Sequence, residues 1–361
     1  MDTPADLNEL REAVLSRDAV RTTGGGSKPN LSRGANLSLA AFRGVVEYDP
    51  CEYTITARAG TPLTELQGIL ADKGQYLPFD PPLAERGATL GGTVAAGLSG
   101  SGAFRHGVVR DFLLGVRFVT GDGQIVFGGG KVVKNAAGFD FPKLMAGALG
   151  ELGVLAELTL KVFPRPERVA TLEARYDSRA AAAAAMRRLA LSQVEPACLD
   201  LDSEHRLYVR LAGAHAALDA RIARARTLLG HDAREIDDEA CWRDSREFAW
   251  LPPDALLVKV GGSFDRLAAI VDAADVVRHR FALAGHVAWL ACPVAAGVAS
   301  LAERLRAQRL AGLVLLGGEA PVCVGRSVGD PLFARLRDAL DPQAVFARSI
   351  VVQELAHAAS D

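Results

Sequence analysis

Apolar spacing gives a first outline of the chain. Leu7, Leu10, Val14 and Leu15 recur at helical intervals behind Asp6, which can cap the helix they predict. Residues 20–23 read as a short strand running into Gly24-Gly25-Gly26, and 53–57 alternate as a half-buried strand does. Thr61 then stands as an N-cap with Pro62 in the first helical position, and Leu63, Leu66, Ile69 and Leu70 share one face until Gly74 stops the helix. Residues 113–119 and 124–127 flank Thr120-Gly121-Asp122-Gly123, a hairpin signal. A strand is predicted over 154–162. Between these elements, 87–107 show little periodicity.

The run Pro164-Arg165-Pro166-Glu167 cannot continue a sheet and marks a domain exit. Six of the seven lysines precede it, and arginine replaces lysine almost completely afterwards. Two domains follow from this, 1–166 and 167–361, in keeping with the chain's length. The second alternates apolar strands (256–260, 287–291, 313–316) with alanine-rich helices (179–191, 214–229, 264–283, 295–309). Two βαβ-like halves are expected there without a visible sequence repeat. Residues 356–361 are expected to fray.

Composition removes several classes of function. Hydrophobic residues make up 49% and charged residues 23%, so the chain is globular, and a net charge of −2 gives no electrostatic pull toward nucleic acid. Cys51, Cys198, Cys241, Cys292 and Cys323 form no C-x-x-C pair, and the seven histidines show no metal-binding spacing. We therefore expect no zinc, Fe–S or other metal site, no disulfide framework, and a reduced, cytoplasmic setting. The acidic, polar start is not a signal peptide, and the two stretches poor in charge, 87–104 and 281–302, are not apolar enough to span a bilayer.

Glycine placement carries the chemistry. Three consecutive glycines after a strand let successive amides point inward as an anion cradle, with the Ser27 hydroxyl and the Lys28 charge beside them. A flexible turn with a basic neighbour is the plainer alternative. A second run, Thr89-Leu90-Gly91-Gly92-Thr93 through Gly97, Gly100 and Gly107, makes a poor core but suits backbone laid against a large flat ligand. The third is Gly147 to Gly153. None fits G-x-G-x-x-G between strand and helix, and Gly130-Lys131 lacks the remaining positions of a Walker loop. Three separated segments imply one extended ligand contacted from several loops.

These segments, in the order Gly24 to Ser27, Thr89 to Thr93, Arg105-His106-Gly107, Thr120 to Gly123 and Gly147 to Val154, resemble the FAD-binding domain of the vanillyl-alcohol oxidase/PCMH flavoprotein superfamily. Lys131 to Leu144 is similar to the FAD-binding (E) subunit family of bacterial glycolate oxidase. The resemblance covers residues 5–166. It implies an α+β protein: a PCMH-type two-subdomain FAD-binding domain followed by an α+β, ferredoxin-like cap. It places the FAD pyrophosphate on Gly24, Gly25, Gly26 and Ser27. Thr89, Leu90, Gly91, Gly92 and Thr93, with Gly97 and Gly100, would run along the diphosphate and the isoalloxazine. Gly150, Gly153 and Val154 would give backbone contacts near the adenine or the flavin ring, and Arg105 and Gly107 also count as cofactor-binding. Some relatives attach flavin through a histidine beside the first loop; Ser27 stands there, so the FAD is expected to be non-covalent. His106 is expected to pack or hydrogen-bond.

Oxidising a 2-hydroxy acid needs a base for the hydroxyl proton and a cation for the carboxylate. The resemblance places these in a His-rich segment of a catalytic relative, which this chain lacks. His279 and His286 have no acidic residue between them. The family's terminal N-P-G-R is replaced here by Ala347-Arg348-Ser349, so Arg348 is only a possible stand-in. Glu319 follows Gly317-Gly318 and reads as a loop carboxylate, while Asp237-Asp238-Glu239 reads as a helix start. Trp242, Phe248 and Trp250 read as core or interface. The expected role is the FAD-binding subunit of a glycolate oxidase complex, working with a catalytic flavoprotein subunit and an Fe–S subunit on a small 2-hydroxy acid. Membrane association would come only through a partner. The alternatives are a self-sufficient D-lactate-type dehydrogenase and a flavin-free assembly subunit.

Overall fold

The computed structural model describes residues 1–130, 139–230, 233–294, 298–325 and 331–348. It divides into two compact units. The first holds residues 1–99, 108–164 and the described residues after 330; the second holds 100–107 and 165–325.

In the first unit, α1 (Leu7–Leu15) begins at Asp6, whose carboxylate accepts from the amides of Asn8 and Glu9, and buries Leu10, Ala13 and Val14. Then come β1 (Thr22–Thr23), β2 (Leu37–Ser38), β3 (Val45–Asp49), β4 (Thr54–Arg58), α2 (Leu63–Ala71), β5 (Gln75–Tyr76) and α3 (Leu90–Ala95). After α4 (Ala103–His106), which belongs to the second unit, α5 (Val109–Phe112), β6 (Leu113–Val119), β7 (Ile125–Gly129), α6 (Phe141–Met145), β8 (Val154–Lys161) and β9 (Phe163–Pro164) complete this part. Strands β3-β4-β8-β6-β7 form one antiparallel sheet, while β1 and β2 pair in parallel. Two readings need correcting here. Thr61 does not cap α2: its hydroxyl accepts from the Gly44 amide at 2.9 Å, and Pro62 takes the cap position with extended backbone. The aperiodic stretch 87–107 contains two short helices, α3 and α4.

The second unit is a nine-stranded sheet built twice from one pattern. β10 (Arg168–Arg175), α7 (Arg179–Ala190), β11 (Cys198–Asp202), β12 (Arg206–Gly213), α8 (His215–Leu229) and β13 (Arg234–Ile236) form a βαββαβ unit. After α9 (Asp238–Arg246), the same order recurs in β14 (Ala255–Gly261), α10 (Phe264–Ala273), β15 (Arg278–Ala282), β16 (Val287–Pro293), α11 (Ala299–Ala307) and β17 (Ala311–Leu316), followed by β18 (Cys323–Gly325). The halves join edge to edge through β11 and β15, giving β13-β10-β12-β11-β15-β16-β14-β17-β18, antiparallel at each pairing described. Apolar residues of α7, α8, α10 and α11 bury against alternate strand positions such as Leu207, Val209, Val258 and Phe281. The predicted helix 264–283 stops at Ala273, and 278–282 is a strand that pairs with β16.

The chain then returns to the first unit as α12 (Pro331–Leu340). The second domain was expected to run unbroken from 167 to 361; residues 331–348 instead group with the first unit, and 100–107 with the second. Asp341, 3% exposed, accepts from the amides of Val345 and Phe346, both at 2.9 Å. The Val20 amide donates to Val345 and the Ala347 amide to Val20, so this tail holds the chain two residues before β1.

Candidate functional site

The first glycine segment leaves β1 and lies directly on the second. A Cβ on Gly24 would strike the Thr89 hydroxyl, and one on Gly25 the Gly87 carbonyl oxygen, so both glycines permit close approach of the two loops. Gly26 differs: it has φ +71° and open space where a Cβ would stand. Among the described residues, the amides of Gly24, Gly25, Gly26, Ser27 and Lys28 donate to no acceptor. Consecutive amides left in this way are the donors an anion-binding concavity requires.

The second segment folds into α3 rather than an open loop. Thr89 caps it by accepting from the Gly92 amide, while the Leu90 and Gly91 amides donate to Thr61 and Ala59. Gly91 is demanded by packing, since a Cβ there would stand 2.6 Å from that of Ala59. The Thr93 hydroxyl is fully buried and has no partner among the described residues. An unmet buried hydroxyl costs about 1–3 kcal/mol, which a ligand oxygen or nitrogen would relieve.

The third segment closes on the other end of α3. The Gly147 amide donates to Val94 at 2.9 Å and that of Leu149 to Ala95 at 2.8 Å, and a Cβ on Gly97 would meet Gly147 Cα at 3.1 Å. Gly150, at φ +79°, faces back to Thr22, whose hydroxyl would lie 3.7 Å from an added Cβ. Gly153 is fixed by Phe118, and Val154 starts the buried strand β8. Thus Gly24 to Ser27, Thr89 to Gly97 and Gly147 to Gly153 meet around α3 in one unit. Gly100, Arg105 and Gly107 belong to the second unit, where Arg105 pairs with Glu195 at 2.8 Å. The Lys131 to Leu144 motif falls largely outside the described residues, which resume at Phe139.

The other candidates are accounted for locally. Asp237 caps α9, Asp238 receives Arg210 at 2.5 Å and the Thr171 hydroxyl at 2.6 Å, and Glu239 pairs with Arg246. Trp242 is fully buried and donates to Thr171; Phe248 packs on Trp289 at 4.8 Å. Glu319 and Arg348 are exposed. Burial, then Arg105, holds the His106 pKa below its ordinary value, and burial pushes that of His279 down to about 4. Among the described residues, no group of three His, Cys, Asp or Glu could hold a metal ion, and no helix is long and apolar enough to cross a membrane. Sequence reading missed the buried Asp200–Arg280 pair (2.8 Å) of the second unit, to which Ser101 adds a 2.5 Å hydrogen bond.

Unmet amides, a buried cation and a buried hydroxyl around close-packed glycines suit a large phosphate-bearing ligand, and known proteins agree. The family described as an FAD binding domain matches residues 3–129. Glycolate oxidase subunit GlcE of Escherichia coli (strain K12) is 40% identical over 246 residues, 67% of this chain and 67% of its own length. Glycolate oxidase subunit GlcD of Bacillus subtilis (strain 168) is 29% identical over 202 residues, 56% of this chain but only 43% of its own. A solved alkyldihydroxyacetonephosphate synthase superposes with a TM-score of 0.70 at 16% identity, covering 95% of this chain and 74% of that one, and so shares the fold. The chain belongs to the PCMH-type FAD-binding family of oxidoreductases, and its cofactor is FAD.

Proposed function

We propose that this chain is the FAD-binding subunit of a complex that oxidises glycolate to glyoxylate, working with a catalytic flavoprotein subunit and an Fe–S subunit. The supporting observation is the meeting of three glycine segments around α3, with five consecutive amides lacking acceptors, in a chain 40% identical to a glycolate oxidase subunit. Bound FAD supplies the hydride-accepting and electron-relaying chemistry. Gly24 to Ser27 hold its pyrophosphate on main-chain amides, and Thr93 offers its hydroxyl. Gly97, Gly147 and Gly150 give backbone close approach, with Gly153 and Val154 fixing the start of β8 behind them. Ser27, not a histidine, follows the glycines of the first loop, which supports a cofactor held without a covalent bond.

The role as a subunit, rather than a self-sufficient dehydrogenase, is supported by the state of the candidate bases. His279 is neutral at physiological pH, is 4.8 Å from Phe281, and sits on a strand of the second unit's sheet. Glu319 and Arg348 are exposed.

Anaerobic mixing of the full-length purified protein with glycolate or D-lactate is the test. FAD should be released by acid, and its absorbance should stay unbleached until the partner subunits are added. Bleaching by this chain alone would overturn the subunit reading in favour of a self-sufficient dehydrogenase. A colourless, folded protein that ignores added FAD would overturn the flavin role itself.

A further inference from the structure

Lys28 is an unusual residue to bury. It is 7% exposed, and its only hydrogen bond among the described residues runs from Nζ to the Ser27 hydroxyl, a neutral group, at 3.0 Å. Among the described residues no carboxylate is paired with it. Its ammonium also faces Gly92, where an added Cβ would lie 3.8 Å from Nζ. An isolated buried ammonium is among the costliest groups a fold can hold, and lysine is almost never buried unless paired. Burial lowers its pKa to about 8, which leaves it charged at neutral pH. The loop that carries it, Gly24 to Lys28, has main-chain amides that donate to no acceptor among the described residues. A buried cation on a loop of free donors is a half-built site whose missing half is an anion.

We propose that Lys28 is the phosphate-binding charge of this site, kept buried at the expense of the ligand-free fold so that the FAD pyrophosphate cancels its cost. The assignment rests on the flavin reading above and adds a specific residue and an energetic consequence. The phosphates would supply the opposite charge, and charge-assisted hydrogen bonds from Nζ and the loop amides would be the strong contacts of the complex. The ligand-free protein would then be destabilised by the group that secures its cofactor, as expected of a buried charge without its partner. Arginine, also cationic and more weakly hydrated, should keep part of the function; methionine, of similar length and uncharged, should not.

The test uses the full-length chain as wild type, Lys28→Met and Lys28→Arg, freed of flavin by high-bromide dialysis. Thermal unfolding is followed with FAD, with riboflavin, which has no phosphate, and with inorganic pyrophosphate. Wild type should be stabilised by FAD and, more weakly, by pyrophosphate. Lys28→Met should bind FAD about 10- to 100-fold more weakly, lose the pyrophosphate response, and keep its riboflavin response. Without ligand it should melt about 2–4 °C higher than wild type. Lys28→Arg should recover part of the FAD affinity. Equal FAD and pyrophosphate responses in wild type and Lys28→Met would overturn the proposal. So would a wild type that pyrophosphate does not stabilise although FAD does, a measurement that needs no variant to fold. A folded wild type that ignores FAD would instead refute the flavin reading on which the proposal rests.

Discussion

At the scale of single residues, adjacent glycines in the first loop do different work. Gly25 lies against the Gly87 carbonyl, and any Cβ there would force the first and second segments apart. Gly26 has room for a side chain and needs glycine only for its φ of +71°. Gly25→Ala should therefore weaken FAD binding by tenfold or more, roughly 1.4 kcal/mol, while far-ultraviolet circular dichroism stays unchanged. Gly26→Ala should cost about 1–2 kcal/mol of stability through its left-handed backbone and leave FAD affinity closer to wild type. Flavin fluorescence titration beside urea denaturation checks both. Equal losses of affinity would mean that the glycines serve the ligand directly rather than the contact between loops.

At the scale of elements, the tail after α12 buttresses the flavin loop. Asp341 ties down the Val345 and Phe346 amides, and Val345 accepts from the Val20 amide just before β1. Asp341→Ala leaves two buried amides unmet and should cost about 2–5 kcal/mol, loosening β1 and FAD together. Chemical denaturation with a parallel flavin release assay reads this, and unchanged flavin retention would show that the tail does not act on the loop. The sequence showed the glycine segments and their order because close backbone approach demands glycine and little else. It did not show that Asp341-Pro342 serves the first unit, since nothing local in those residues names Val20 as their partner. Two βαβ-like halves were legible in the second unit, but not the full βαββαβ pattern of each. Strands such as Arg206–Gly213 alternate Leu207, Val209 and Leu211, which face the helices, with Arg206, Tyr208 and Arg210. The latter are satisfied by Asp202, close in sequence, and by Asp238, 28 residues away, so the strand carries no apolar run to read. Arg278–Ala282 shows no alternation of apolar and polar residues, so this strand looked like the end of a helix.

At the scale of the whole molecule, buried titratable groups give the stability curve a definite shape. Burial lowers the pKa of Lys28 and that of Lys259, which lies 5.9 Å from the Trp289 ring centroid, to about 8 each, against 10.5 for an ordinary lysine. Between these values the unfolded chain binds more protons than the folded one, so stability rises with pH from about 8. Burial raises Cys241 and Cys292 to about 11 from 9.0, which has the opposite sign and removes stability progressively above pH 9. His279, lowered to about 4, removes stability as pH falls from 6.5 toward 4. The flavin-free protein should therefore gain about 1–2 kcal/mol between pH 8 and 9 and level off above it. Lys28→Met should remove about half of that gain and Lys259→Met the other half. With FAD bound, the phosphates hold the proton on Lys28 and raise its pKa, so the loaded wild type should show only the Lys259 share. Urea denaturation at each pH, with and without FAD, measures all three slopes. A gain in the FAD-loaded protein as large as in the flavin-free protein would mean that Lys28 does not meet the phosphates, whatever else holds the cofactor.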